Sequence, residues 1–182
     1  MTTDFLPKDY TVPVSGGNYM KLEKGDNVFR VLSSAVVGYE YWNNENKPIR
    51  LSKKPDVLPV DMRIDDYGNK NLKHFWAFIV WNYKANAIQM LEITQVSIQE
   101  GIANLVKDVD WGDPKRYDIK ITKTGEKMDT EYAVSPKPHT PVKAEIEQAL
   151  LNKNYDLNAL FIGGDPFDVK TSDGEAMPDF NL

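Results

Sequence analysis

Between Lys73 and Tyr83 the chain reads KHFWAFIVWNY, a run that is apolar on both faces of a strand. Alternation sets Phe75, Ala77, Ile79, Trp81 and Tyr83 on one side and Trp76, Phe78 and Val80 on the other, so about half of its rings belong to a core whichever side turns inward. After the turn KANA a second strand, IQMLEIT, runs from Ile88 to Thr94, and the two predict an antiparallel hairpin. Upstream, Val28 to Trp42 is rich in β-branched and aromatic residues without proline, which predicts one long, partly buried strand in which Gly38 marks a bulge or bend. Residues 43 to 72 carry three prolines, many amides and charges, and read as a long excursion with room for a short hairpin.

Downstream, Ile98, Ile102, Leu105 and Val106 form one helical stripe, with Thr94 or Ser97 as cap and Glu100 completing a Ser-x-x-Glu box. Alternating residues on both sides of Gly125 predict a further hairpin at roughly 117 to 135. Thr140-Pro141 then provides the cap and first-turn proline of a helix whose Ile146, Ala149 and Leu150 share a face. The order is strand, long loop, strand, strand, helix, strand, strand. A five-stranded barrel with its helix between the third and fourth strands is the OB-fold, which binds oligonucleotides or oligosaccharides on its second and third strands and on two loops. The predicted class is therefore mainly β with minor helix, with a plain β-sandwich as the other reading of the same strands. Residues 1–18 form an N-terminal arm, 19–139 the barrel, 140–153 a C-terminal helix and 154–182 a flexible acidic tail.

The 182 residues contain no cysteine, which removes thiol chemistry and thiolate zinc sites. Two histidines, His74 and His139, provide no cluster for a catalytic metal or an imidazole-based triad. No apolar run is long enough to cross a membrane, and MTTDFLPKDY lacks the features of a signal peptide, so a cytoplasmic protein is expected. The net charge of −5 argues at first against a polyanionic partner. Its distribution changes that: residues 1–143 hold 20 basic and 19 acidic side chains, whereas residues 144–182 hold 2 and 8.

The aromatic residues cluster, and cations interleave with them. Tyr39, Tyr41, Trp42, Trp76, Trp81 and Tyr83 lie near Arg50, Lys53, Lys54, Lys73 and Lys84, while the Gly125 hairpin and its approach add Arg116, Lys120, Lys123 and Lys127. This is the composition that single-stranded nucleic acid requires: bases stack on rings, cations follow phosphates, and little sequence preference results. Many of these rings must instead be core, and lysines in a loop are ordinarily solvated surface. Tyr39 and Tyr41 share a face, while Trp42 points the other way or opens the loop.

Catalytic signals are weaker. Asp61, Asp65 and Asp66 invite a Mg²⁺-dependent nuclease reading, but scattered carboxylates in a Pro-rich loop are more often simple surface. Ser33 and Ser34 have no partner histidine, and the GGDPF stretch at Gly163 to Phe167 reads as a turn because no helix pattern follows it. No enzyme activity, cofactor or metal is expected.

Four stretches taken together resemble the single-stranded DNA-binding proteins of bacteriophages: YMKLEKGDNVFRVLS at Tyr19 to Ser33, FWAFIVWNY at Phe75 to Tyr83, IQMLEITQVSI at Ile88 to Ile98, and DWGDPKRYDIKITKTGEKMDTEYAVSP at Asp110 to Pro136. The resemblance covers roughly residues 19 to 139 and is most specific at WGDP followed by YDIKI and TEY. It implies an OB-fold core with an acidic C-terminal tail that coats single strands during phage replication, recombination or repair in the cytoplasm of the bacterial host. The tip MPDF is similar to the tips through which such proteins recruit replication or recombination enzymes, with Asp173, Glu175, Asp179 and Phe180 as its partner-binding residues. It departs from that pattern in that Asn181 and Leu182 follow the phenylalanine. The resemblance leaves monomer and dimer open. The other reading is a replication-accessory module whose barrel holds a partner chain and does not touch DNA.

Overall fold

The computed structural model describes Phe5 and residues 17–169. Its centre is the doubly apolar strand, β4 (Lys73–Asn82), in the order β1 (Gly25–Val31), β2 (Val36–Trp42), β3 (Pro48–Leu51), β4, β5 (Ala87–Ile93), α1 (Val96–Lys107), β6 (Asp118–Thr124), β7 (Glu131–Pro136) and α2 (Ala144–Asn152). Along one edge β4 pairs with β5 from Trp76–Ile93 to Asn82–Ala87. Along the other, its first half pairs with β2 and its last residues with β1. β3 extends the sheet beyond β2, and β6 and β7 extend it beyond β1, giving seven strands in one antiparallel, open sheet.

The expected single strand from Val28 to Trp42 is thus two strands. The break falls where the chain passes from the second half of β4 to the first, and Ser33 makes it possible: its hydroxyl accepts the Ile79 N–H at 2.8 Å in place of a backbone carbonyl. Gly38 is not a bulge, since the register around Gly38–Phe75 is regular. It is a close approach, because a Cβ there would stand 2.4 Å from the Leu51 carbonyl oxygen and 2.9 Å from the Phe161 ring.

Both faces of β4 are covered. On one side Phe78 and Val80 pack with Phe29, Val31, Leu91, Ile93, Ile119 and Ile121 beneath α1, which contributes Ile98 and Ile102. On the other side Phe75, Ala77, Ile79 and Trp81 pack with Ile88 and Met90 beneath Ile146 of α2 and Leu157 and Leu160 of a 3-10 helix, Leu157–Ile162. Each such buried side chain contributes on the order of 1.5–3 kcal/mol, so the second layer is a substantial share of the fold. Residues 154–169 therefore do not belong to a flexible tail. Five of the eight C-terminal carboxylates, Glu145, Glu147, Asp156, Asp165 and Asp168, lie on this packed layer. GGDPF is a turn, as expected, with Gly163 left-handed at φ 72° and Asp165 accepting the Phe167 N–H.

The helix starts differ from expectation. α1 begins after Gln95 without a side-chain cap, so neither Thr94 nor Ser97 caps it. α2 begins after Lys143 rather than at Thr140-Pro141. Thr140 has another role, because its carbonyl and hydroxyl oxygens accept from the buried Arg30 guanidinium. Among the described residues no ladder joins β5 to β7. The β5 edge is taken at Met90 by a parallel bridge to Tyr19, and α1 lies against β7, where a Cβ on Gly101 would stand 2.8 Å from the Val134 side chain.

Candidate nucleic-acid interface

The 43–72 excursion is an ordered arm. Asn43 is buried at its root, with its amide oxygen accepting the Glu45 and Lys47 N–H groups. The Arg63 N–H donates to the Trp42 carbonyl, and Met62 is buried beside it. At the tip, a bridge between Ile64 and Lys70 closes a turn in which Asp65 accepts from the Tyr67 and Asn69 N–H groups and from the Asn71 amide. Those hydrogen bonds, the Asn69 one foremost, hold the Asp65 carboxyl below its ordinary pKa. The ring of Tyr67 stands almost fully in solvent.

At the base of the arm, Trp42 is 45% exposed and the Arg63 guanidinium lies over its ring, 6.0 Å from the centroid, while also donating to the Asn46 side chain at 2.7 Å. Lys53, Lys54, Lys70 and Lys73 are exposed, and none has a carboxylate within ion-pair distance among the described residues. The arm thus gathers a ring, a stacked guanidinium and unspent cations.

Several predicted contact residues are used otherwise. Trp81 is 7% exposed and fills the second core, and Tyr41 is buried with its hydroxyl donating to Asp61. Tyr83 donates to Asp118, and burial together with that hydrogen bond pushes its hydroxyl up to about 12. Trp81 and Tyr83 share one cause, since α2 and the following 3-10 helix cover the side of the sheet on which they lie, whereas Tyr41 is engaged by Asp61 of the arm. Arg50 is not a loop cation. It sits on β3, donating to Glu92 at 2.7 Å and standing 3.4 Å from Glu40, and its Nε has no hydrogen-bond acceptor. Lys84 pairs with Glu23, Lys123 lies over Tyr132, and Lys120 is 4.0 Å from Asp26.

Arg116 and Lys127 are exposed. Trp76 is half-buried at a cleft, and Tyr39 packs its ring on His74. The β2–β4 register puts Val37 with Trp76 and Tyr39 with His74 on the α1 side of the sheet, while Glu40 and Lys73 face the other way. Alternation then sets Trp42 opposite Tyr39 and Tyr41, as the sequence predicts. Of the carboxylates considered for a metal, Asp61 accepts from Tyr41 and Asp65 closes its turn, and among the described residues no group of three ligating side chains gathers that could hold an ion. Asp173, Glu175, Asp179 and Phe180 lie outside the described residues.

Nothing in the sequence pairs Arg63 with Trp42, because the two meet only when the arm folds back. Sequence reasoning also missed Arg30. The signal was present, since a lone arginine inside the apolar run VFRVL must bury its charge against a partner.

The chain is similar to a protein of Escherichia phage T5 named "Probable ssDNA-binding protein", with 24% identity over 156 aligned residues. The alignment covers 71% of this chain and 60% of that protein, so the chain spans about three-fifths of its relative's length. No family model and no solved structure matches the chain. No helix among the described residues is long and apolar enough to cross a membrane.

Proposed function

We propose that this protein binds single-stranded DNA without catalysing a reaction, and serves phage DNA replication, recombination or repair in the cytoplasm of the bacterial host. The observation that carries the reading is the exposed Trp42 ring with Arg63 over it, at the root of an arm whose Lys53, Lys54 and Lys70 have no ion-pair partner among the described residues. A base stacked there meets a π-face and a guanidinium plane while its phosphates meet Lys53, Lys54, Lys70 and Lys73. The similarity to the phage T5 protein supports the same ligand.

The fold fits this reading as an open variant of the OB-fold. If β1 and β2 are taken as one strand broken at residues 32–35, then β1/β2, β4, β5, α1, β6 and β7 follow the OB order, with the arm as the loop between the first two strands. The OB-fold's usual binding side, the outer face of β4 and β5, lies under α2 and the 3-10 helix, which supports an interface moved to the arm and the strand ends.

Titration of the protein with oligothymidine, followed by tryptophan fluorescence across a salt series, tests the proposal. Quenching is expected, with log K falling against log salt at about −0.7 per neutralised phosphate. Absence of binding at low salt overturns the reading. A shortened chain ending at Val169 keeps the packed layer and removes three carboxylates and one lysine. Tighter binding by that chain is the outcome expected if the acidic end competes with DNA.

A further inference from the structure

A second group of ring faces and free cations lies away from the arm and is organised by Arg30. This guanidinium is almost wholly buried and reaches Asp118 at 2.6 Å, the Thr140 carbonyl at 2.9 Å, the Thr140 hydroxyl at 2.7 Å and the Lys115 carbonyl at 3.4 Å. The Thr140 N–H in turn donates to the Arg116 carbonyl at 3.1 Å. One fixed cation thus clamps together the short turn Pro114–Arg116 and the segment entering α2.

Two side chains stand on this frame. The His139 imidazole lies flat on the Tyr117 ring, at 5.4 Å and 15°, and meets Trp111 edge-on at 5.6 Å, with its Nε2 3.0 Å from the Trp111 carbonyl oxygen. Tyr117 is fully buried and His139 is exposed, so a fixed ring backs one side of the imidazole. His139 borders a cavity of about 340 Å³ that it shares with Lys115, Arg116 and Pro141, and no carboxylate lines it. Neither Lys115 nor Arg116 has an ion-pair partner among the described residues.

Lys115 also lines a second, mainly apolar cleft of about 470 Å³, walled by Trp76, Phe78 and Ile102 with Ser34 at its rim. Its single carboxylate, Asp113, is engaged in capping the turn, where it accepts the Lys115 N–H at 3.0 Å. One lysine therefore stands between a cleft walled by an indole and a cavity walled by an imidazole.

We propose that the two cavities are neighbouring base-binding subsites for one single strand, with one base against Trp76, the next on His139, and Lys115 and Arg116 on the phosphates between them. The proposal rests on the single-stranded DNA reading and deepens it, because it assigns contacts that the arm does not make. Concave subsites of this kind take unstacked bases, whose faces a duplex does not offer.

Anisotropy of labelled oligothymidine and of a hairpin duplex of equal length, measured with the full chain, tests it. Lys115→Ala changes an exposed side chain and leaves the fold intact, and it is expected to make the salt slope about 0.7 shallower. His139→Ala is expected to weaken binding by about five- to a hundred-fold through lost stacking, while His139→Phe, which keeps a ring, retains most of the affinity. Wild-type protein that binds no oligothymidine overturns the functional reading itself. Wild-type protein that binds, with both Lys115→Ala and His139→Ala unchanged in affinity and slope, overturns only the subsites, as does equal affinity for the duplex.

Discussion

Two arginines are withdrawn from solvent in this protein, and they are treated in opposite ways. Arg30, on β1, has one carboxylate and three further oxygens around its guanidinium. Arg50, on β3, has two carboxylates competing for it, Glu40 and Glu92, and an Nε that makes no hydrogen bond although Glu40 stands 3.4 Å away. Around Arg30, charge and hydrogen bonds close on one another, so the cluster is a clamp. Around Arg50 one positive charge is set against two negative ones. Burial, followed by the hydrogen bond with Glu92 and that carboxylate's charge, pushes Glu40 up to about 8 from its ordinary 4.5, with Arg50 and Lys73 opposing. What separates a buried ion cluster that locks a fold from one that leaves it responsive to pH is the match between charges and acceptors.

The largest test of this contrast is removal of each cation. Arg30→Met leaves Asp118 without its charge partner and frees the Thr140 segment, and a loss of about 3–5 kcal/mol is expected in urea unfolding. Arg50→Met leaves a protonated Glu40 already bonded to Glu92, and the expected loss is smaller, about 1–2 kcal/mol. Equal losses would erase the distinction.

A second test uses pH. Because the folded protein holds a proton on Glu40 that the unfolded chain releases near 4.5, the associated stability is fully present below that value and is lost as pH rises through about 8. Glu40→Gln should therefore melt with the wild type at pH 4 and above it at pH 9, and parallel melting curves at both pH values would contradict the protonated state.

The smallest effect on stability belongs to the exposed Arg63. Arg63→Ala is expected to leave urea unfolding within about 0.5 kcal/mol. Its effect falls instead on oligothymidine affinity, where loss of the guanidinium over Trp42 is expected to weaken every sequence alike. A variant destabilised as much as Arg50→Met would reclassify the arm contact as structural.

Much of the architecture was legible because β4 is an unbroken apolar run from Phe75 to Trp81, β5 is largely apolar, period-two alternation is strong in β6 and β7, and period-3.6 spacing is strong in α1. The break between β1 and β2 was not, since the run from Val28 to Trp42 reads as uniformly extended and only its two different halves of β4 divide it. Residues 154–169 were equally opaque. Leu157, Leu160, Phe161 and Phe167 show no periodicity, because a 3-10 helix and a turn bury them by filling a surface rather than by repeating a stripe. For the interface, residue types were readable while accessibility was not, so Trp42 and Trp81 look alike in the sequence and differ completely in the fold.

The sequence by itself determined that β4 must be covered on both faces, that aromatic rings and cations concentrate around it, and that charge is asymmetric along the chain, since these follow from local composition and alternation. Only the tertiary structure decided which cover lies on which face, which rings that cover removes from solvent, and that Lys115 and His139 share a frame held by Arg30. Such contacts join residues about a hundred positions apart. Their energy depends on the relative placement of whole elements, which no local pattern encodes.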